Sequence, residues 1–106
     1  MKSNRIYTAY VAWKTGGKRR PVLVVEDNDN SVTVLKITTK YQSKSSKIKK
    51  YYYPIIDWQK SGLKEKSYID TIKKVNLLKS DVSFHYVGRL SSQDKNGLRK
   101  FIDELG

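Results

Sequence analysis

An arginine and a threonine of this sequence could lie together at the open end of a hairpin and bind a phosphate. Arg20 follows a pair of glycines and precedes Pro21, whose fixed φ and missing N–H suit the first residue of a strand. Thr38 ends the next apolar stretch, and a turn near Asp29 lies almost midway between Arg20 and Thr38. In such a hairpin the arginine can bind two phosphate oxygens, and the threonine can hydrogen-bond another. The alternative is a solvated basic loop before an ordinary strand.

Most other catalytic chemistry lacks the residues that it needs. The sequence has no cysteine and one histidine, His85, which excludes a cysteine zinc site, a histidine-rich metal site and a two-histidine nuclease. We expect His85 to be structural or simply exposed. The acidic residues show no paired-carboxylate spacing, which argues against a two-metal nuclease, and no glycine-rich nucleotide-binding motif is present. The sequence therefore predicts no metal and no cofactor.

Positive charge dominates the composition. The 22 Lys and Arg residues against 10 Asp and Glu residues give a formal net charge of +12. Such a field attracts polyanions, so RNA, DNA and an acidic protein are candidate partners. We expect a single cytoplasmic domain over residues 1–106 that does not associate with membranes. The reasons are the absence of cysteine, of a signal-like apolar segment, and of the ~20 consecutive apolar residues that a membrane helix needs.

Alternating and β-branched residues predict six strands around these candidates. The predicted strands are residues 5–13, 21–26, 31–38, 51–57, 67–75 and 83–88. Residues 14–19 and 77–82 are predicted to be turns. The residues expected to face inward in the first strand are Ile6, Ala9, Val11 and Trp13. Pro54 predicts an edge strand or a bulge for the fourth.

A basic segment interrupts the strands, and a helix ends the chain. Residues 39–50 contain five lysines and no period, so we predict a long mobile loop. Ser91 or Ser92 can cap a C-terminal helix whose apolar stripe packs on the sheet. The stripe consists of Leu98, Phe101, Ile102 and Leu105. Short strands followed by one helix predict a mainly β protein, a small antiparallel barrel with a helix against it.

Three motifs resemble those of the MazF/PemK-like toxins of type II toxin–antitoxin systems. The sequence GKRRPVLVV at residues 17–25 resembles the family signature Gly-x-Arg-Pro-x-Leu-Val. The sequence ITTK at residues 37–40, followed by QSK at 42–44, resembles the family's Thr-Thr-Gln-Ser-Lys stretch. The sequence GRLS at residues 88–91 is similar to the end of PemK-like members. The resemblance covers nearly the whole chain in order.

This resemblance implies an SH3-like barrel that forms a homodimer, cuts single-stranded RNA, chiefly mRNA, without a metal, and is inhibited by a cognate antitoxin. In the family, a ribose 2′-OH attacks the adjacent phosphate, and the catalytic arginine and threonine correspond to Arg20 and Thr38. The first loop is shorter than in the family. The strand at residues 67–75 has Asp70 and Thr71 without the arginine of some members. The sequence does not identify the general base.

Basic and polar side chains near these motifs are predicted to bind the RNA backbone, with tyrosine offering a stacking face. They are Lys14, Lys18, Arg19, Thr39, Lys40, Gln42, Lys44, Lys47, Lys49 and Tyr51. The alternative for the basic loop is a solvated segment kept for solubility. Two other functions stay open. They are a non-catalytic toxin of the same fold, like the CcdB-type gyrase inhibitors, and a plain nucleic-acid-binding barrel.

Overall fold

Seven antiparallel strands and two helices form the protein. The computed structural model describes the backbone of residues 1–106 and every side chain except that of Trp13. The elements in chain order are β1 (Arg5–Trp13), β2 (Gly16–Asp27), β3 (Ser31–Thr38), α1 (Ser46–Lys49), β4 (Tyr52–Pro54), β5 (Tyr68–Asp70), β6 (Val75–Leu78), β7 (His85–Arg89) and α2 (Ser92–Leu105). The predicted mainly β class with a C-terminal helix is therefore confirmed.

The strands form one barrel-like sheet. Six of them follow in the order β4-β5-β3-β2-β1-β7, and β6 pairs with β3 beyond the end of β5. Thus β5 pairs with Ile37 and Thr38, whereas β6 pairs with residues 31–34 of the same strand. Across the described chain, β4 and β7 end the order without pairing to each other, so the sheet is not closed.

Both faces of the β2–β3 hairpin are buried. Leu23 belongs to an apolar cluster that includes residues of α2, whereas its neighbours Val22 and Val24 belong to a second cluster. Because successive side chains of a strand point to opposite faces, these two clusters lie on the two sides of the sheet. The continuous apolar run of β2 therefore contributes side chains to both clusters.

In β1, the residues predicted to face inward are buried wherever their side chains are described. These residues are Ile6, Ala9 and Val11. Trp13, the fourth of that prediction, lies outside the described side chains. The register with β7 shifts between Ile6 and Tyr7. Ile6 and Ala9 are three residues apart, so their side chains point to opposite faces, and they belong to the two clusters on the two sides of the sheet.

The predicted turn over residues 14–19 is wrong. β1 and β2 remain paired as far as Trp13 and Gly16, so the chain reverses at only two residues. Gly17 permits this long hairpin because Tyr10 packs across it, and a Cβ at Gly17 would lie 2.7 Å from that ring. The basic residues that follow Gly17 consequently lie on a strand and not in a loop.

The strand predicted over residues 67–75 is two strands. Asp70 Oδ1 accepts a hydrogen bond from the Ile72 N–H at 2.9 Å, and this local turn ends β5. The chain then returns to β3 as β6. The predicted turn over residues 77–82 is therefore wrong at its start, because Leu77 and Leu78 pair with β3.

A buried carboxylate joins α2 to the segment after β4. Asp94 is fully buried and accepts a hydrogen bond from the Tyr53 hydroxyl at 2.7 Å. It also accepts from the N–H groups of Ile56 and Asp57, each at 2.9 Å. Because these N–H groups bond to a side chain and not to a strand, the strand predicted over residues 51–57 is shorter than predicted.

The helix α2 begins with a capping hydrogen bond and packs on the sheet over part of its length. Ser91, one of the two predicted caps, accepts from the Asp94 N–H at 3.1 Å. Leu98 is buried and Phe101 packs against the core. The rest of the predicted stripe is wrong, because Ile102 and Leu105 are 41% and 38% exposed beside an open groove.

Tyr53, which bonds to the buried carboxylate of Asp94, makes the stability of the fold sensitive to pH in the alkaline range. Burial, then the hydrogen bond and charge of Asp94, raises the pKa of Tyr53 well above its ordinary value of 10.0. The folded protein therefore keeps this proton at a pH where the unfolded chain loses it, so the free energy of unfolding falls as pH rises above 10. We expect Tyr53→Phe to flatten this fall by up to ~1.4 kcal/mol per pH unit.

Urea unfolding at several pH values between neutrality and the alkaline limit measures this dependence. Tyr53→Phe should also lose roughly 1–3 kcal/mol at neutral pH, because Asp94 loses one donor. Tyr10→Phe, at an exposed tyrosine, is the matched control and should keep the wild-type pH dependence. Parallel curves for the wild type and Tyr53→Phe above pH 10 would show that the Tyr53 proton is not held by folding.

Candidate active site

The β2–β3 hairpin determines where Arg20 and Thr38 lie. Its strands pair Val22 with Lys36 and Val24 with Val34. The same register continued by two residues sets Arg20 opposite Thr38. Both residues line one open cavity of about 530 Å³, here called the central cavity. The other residues that line the central cavity are Lys18, Lys36, Lys40, Lys44, Tyr52 and Asp70.

One carboxylate stands among the cations of this cavity. Asp70 is the last residue of β5, and its Oδ2 lies 4.0 Å from Lys36 Nζ. Tyr52 pairs with Asp70 across β4 and β5. Burial, and then the charge of Asp70, raises the pKa of Tyr52, whereas the charge of Arg20 opposes this shift. The Tyr52 hydroxyl is therefore close enough to both charges to respond to each.

Arg20 has a buried donor that is free. Among the described residues, its Nε is buried and has no hydrogen-bond partner. Buried polar groups are nearly always hydrogen-bonded, and an exception in a native structure calls for a partner or a function. A guanidinium with an unused N–H at the wall of a cavity can bind an anion such as a phosphate.

Some residues of the RNA-binding prediction lie around this cavity and others do not. Those that line the central cavity are Lys18, Lys40 and Lys44. Thr39 lies at an adjoining cleft that also has Arg20 and Thr38 in its walls, and Lys14 lines a neighbouring cavity. Gln42 and Lys47 are exposed in the segment after β3, outside the walls of the central cavity.

Three of the predicted RNA-binding side chains are engaged elsewhere. The Arg19 guanidinium donates to the backbone oxygens of Thr8 and Ser83 at 3.1 and 3.3 Å, although its backbone borders the cleft beside Arg20. Lys49 Nζ lies 5.0 Å from the centre of the Tyr41 ring. Tyr51 lines the groove beside the end of α2. Sequence reasoning does not separate these residues from those at the cavity.

The sequence indicates no role for Lys36, Tyr52 or Asp70, which the structure brings to the central cavity. The signal for Lys36 is its position in line with Val32 and Val34, where alternation predicts an apolar residue. The run of three tyrosines at residues 51–53 contains no comparable signal. Asp70 is distinguished in the sequence only as the acidic residue of its predicted strand.

Stacked tyrosines hold the segment after β3. The rings of Tyr41 and Tyr68 are 4.3 Å apart and nearly parallel, and the Tyr52 ring lies 6.4 Å from Tyr41. The backbone N–H of Lys44 donates to the backbone carbonyl oxygen of Tyr41 at 3.0 Å, and this hydrogen bond forms a turn at the cavity. Residues 39–50, predicted to be a loop without regular structure, contain the short helix α1. This segment is more ordered than predicted because Tyr41 packs on buried tyrosines that are distant in the sequence.

The comparisons with known proteins agree with this architecture. Residues 3–105 match the family described as PemK-like, MazF-like toxin of type II toxin–antitoxin system. The chain therefore belongs to this family, and the resemblance drawn from its motifs is confirmed. The solved structure of Mycobacterium tuberculosis toxin MazF-mt6 has a TM-score of 0.71 at 21% sequence identity, covering 94% of this chain and 93% of that chain. This likeness shows a shared fold. A search of curated proteins found no significant match.

The described residues contain neither a metal-binding cluster nor a membrane-spanning helix. Among them, no cluster of three or more His, Asp or Glu side chains is arranged to hold a metal ion. In the same part of the chain, neither helix combines the length and apolar character needed to cross a membrane.

The tyrosine stack should control the order of the segment that carries Lys40 and Lys44. An aromatic pair contributes roughly 0.5–1.5 kcal/mol, so Tyr41→Ala should open this segment about two- to ten-fold more often. Limited digestion with trypsin, followed by mass spectrometry of the fragments, measures cleavage at the lysines of residues 40–50. Tyr41→Phe keeps the ring and should be cut at the wild-type rate. Equal cutting of all three proteins would mean that the stack does not hold the segment.

Proposed function

We propose that this type II toxin is a metal-independent endoribonuclease that cleaves single-stranded RNA. The observation that carries the proposal is the buried, unpartnered Nε of Arg20 in a cavity that also contains Thr38 and Asp70. This set supplies an anion-binding cation, a hydroxyl and a carboxylate. Those are the groups that a cleavage by the RNA's own 2′-OH requires. Lysines around the cavity add attraction for the backbone.

In the proposed reaction, the Asp70 carboxylate accepts the proton of a ribose 2′-OH. The bond between that oxygen and phosphorus forms while the bond from phosphorus to the 5′-oxygen of the next nucleotide breaks. The leaving oxygen takes a proton from water. The products are a 2′,3′-cyclic phosphate and a 5′-hydroxyl. Arg20 stabilises the negative charge that develops on the phosphate oxygens, and Thr38 hydrogen-bonds one of them.

Asp70 is assigned the role of base because of its position. It is the only acidic residue among the described walls of the central cavity. Its Oδ1 accepts from the Ile72 N–H, so the carboxylate orientation is fixed by the backbone. Its Oδ2 lies 4.0 Å from Lys36 Nζ. Arginine is a poor base because its pKa exceeds ~12, so the carboxylate is the better acceptor.

The second candidate is a non-catalytic member of the same fold, either an inhibitor of another protein or a nucleic-acid-binding barrel. The basic cavity alone would suit such a protein. A carboxylate inside a site for polyanions weakens binding, however, because it repels phosphate. Its presence beside Arg20 and Thr38 therefore favours a catalytic role over a purely binding one.

We further propose that the toxin acts as a homodimer and that an acidic antitoxin segment covers the central cavity. A type II toxin is inhibited by a protein partner, and a chain of net charge +12 favours an acidic one. Carboxylates of such a segment can bind Arg20 and the lysines that otherwise bind RNA. Inhibition then results from competition for one surface.

Loss of Arg20 should remove stabilisation of the transition state more than RNA affinity. We expect Arg20→Ala to reduce the single-turnover cleavage rate roughly 100-fold or more, as for the loss of one such donor. Arg20→Lys should also be impaired, because an ammonium cannot make two parallel hydrogen bonds. The assay uses fluorescent single-stranded RNA in EDTA, and circular dichroism verifies the fold.

Arg99→Ala is the matched control, because Arg99 is exposed on α2 and contacts Asn96. Its cleavage rate should equal that of the wild type. If a folded Arg20→Ala protein cleaves at the wild-type rate, Arg20 is not the catalytic cation. If the wild type leaves RNA intact under these conditions, the metal-independent ribonuclease is wrong.

Loss of the Asp70 carboxylate should slow cleavage without weakening the binding of RNA. Asp70→Asn should lower the cleavage rate about 100- to 10,000-fold, the usual contribution of a general base. Its affinity for uncleavable 2′-O-methyl RNA should be equal to or higher than that of the wild type, because a negative charge leaves the site. Asp103→Asn, at an exposed position of α2, should change neither quantity. An Asp70→Asn protein with normal cleavage, or with weakened binding as its main defect, would contradict the role of base.

A further inference from the structure

A second cavity adjoins the central one and is lined by lysines. It has a volume of about 530 Å³. We call it the lysine cavity; its walls are formed by Val11, Ala12, Lys14, Arg20, Lys36, Lys73, Lys74, Val75 and Asn76. Among these described walls there is no carboxylate. The lysine cavity therefore lacks the group that suits the central cavity to catalysis, and it retains strong attraction for anions.

The split of β5 from β6 brings two of these lysines to the site. Ile69 pairs with Ile37, and Val75 pairs with Val34 of the same strand. Six steps of the chain therefore span three steps of β3, and the extra residues must project from the sheet. Lys73 and Lys74 lie in that projecting segment and are exposed.

Arg20 and Lys36 line both cavities and thus form their common wall. A phosphate held by Arg20 would have the central cavity on one side and the lysine cavity on the other. A single strand of RNA bound at Arg20 has to continue in two directions. The two cavities offer a basic path for each of them.

The geometry of displacement at phosphorus determines which cavity holds the RNA on each side of the cleaved bond. The attacking and leaving oxygens lie on opposite sides of phosphorus in an in-line reaction. Asp70 lines the central cavity and not the lysine cavity, so the nucleotide with the attacking 2′-OH lies in the central cavity. The leaving 5′-oxygen then faces the lysine cavity.

From these positions we infer that the lysine cavity binds backbone phosphates of the RNA on the 3′ side of the cleaved bond. This inference rests on the proposed ribonuclease activity for the direction of the strand. The binding of phosphates by Lys73 and Lys74 does not depend on cleavage. The strand on the 5′ side lies toward Lys40 and Lys44 in the central cavity.

The first experiment measures binding alone. The probe is fluorescent single-stranded 2′-O-methyl RNA, which cannot react, and its affinity is measured by anisotropy over a range of salt concentrations. Each phosphate contact contributes ~0.7 to the slope of log affinity against log salt for a single strand. Lys73→Ala/Lys74→Ala should therefore lower the slope by roughly 1.4. Lys95→Ala/Lys100→Ala, at exposed positions on α2, removes the same charge and should leave the slope unchanged.

The second experiment tests the direction. The two fragments produced by the wild type are isolated, one ending in the cyclic phosphate and one beginning with the 5′-hydroxyl. Lys73→Ala/Lys74→Ala should lower the affinity for the fragment with the 5′-hydroxyl several-fold and leave the affinity for the other fragment unchanged. Weakening confined to the fragment with the cyclic phosphate would overturn the direction.

Failure of the lysine cavity as a phosphate-binding site can be distinguished from failure of the proposed ribonuclease activity. An unchanged salt slope with normal cleavage by the wild type would overturn the lysine cavity and leave the ribonuclease intact. A lowered slope in a wild-type background that cleaves no RNA would overturn the ribonuclease and the strand direction with it. Equal slopes for the double variant and its control would likewise overturn the lysine cavity, because only total charge would then matter.

Discussion

The buried carboxylate of Asp94 holds the helix and the sheet in one arrangement. Asp94 is fully buried, and a buried polar group is stable only when it is hydrogen-bonded. Its oxygens accept from Tyr53, Ile56 and Asp57, and more weakly from the Ser91 hydroxyl at 3.3 Å. The first three donors come from a segment far from α2 in the sequence. Removing any one of them would leave a buried anion less well solvated, a large cost compared with the stability of a small domain.

This contact also determines the position of the central cavity. Tyr53 bonds to Asp94 on one face of β4, and the adjacent Tyr52 pairs with Asp70 toward the central cavity. Since successive side chains of a strand point to opposite faces, one short strand transmits the position of the helix to the cavity. Gly97 is part of the same arrangement, because a Cβ there would collide with the Tyr53 hydroxyl. Helix packing and site geometry therefore depend on each other.

The sequence predicts the part of the site that local pairing creates. Arg20 and Thr38 are related by a hairpin whose turn is recognisable from its Asp and Asn residues, and the register follows from counting. Asp70, Tyr52 and Lys36 come together through pairing of β4 with β5 and of β5 with β3. That pairing depends on the turn after Asp70, where the carboxylate bonds to the Ile72 N–H. Alternation of residue types does not reveal such a turn, so the strand over residues 67–75 reads as continuous.

The same limit explains the errors at other elements. The long β1–β2 hairpin depends on Tyr10 packing over Gly17, and the order of the segment after β3 depends on Tyr41 stacking on Tyr68. Both are tertiary contacts of aromatic rings, which override the polar character of the local sequence. Glycine and lysine in a short stretch favour a turn or loop unless such a ring packs against it.

The distribution of charge places the proposed catalysis and the proposed inhibition on one surface. The described walls of the two cavities contain Arg20 and lysines from β2, β3 and the connecting segments, with Asp70 as the one carboxylate. Other acidic side chains lie apart from them, such as Asp94 and Asp57 at the start of α2. An RNA strand and an acidic peptide therefore meet the same attractive surface, since both are flexible polyanions. Under the proposed function, a partner that neutralises this surface needs no separate regulatory site, because occupying the cations proposed to bind phosphate also covers Asp70, the proposed proton acceptor.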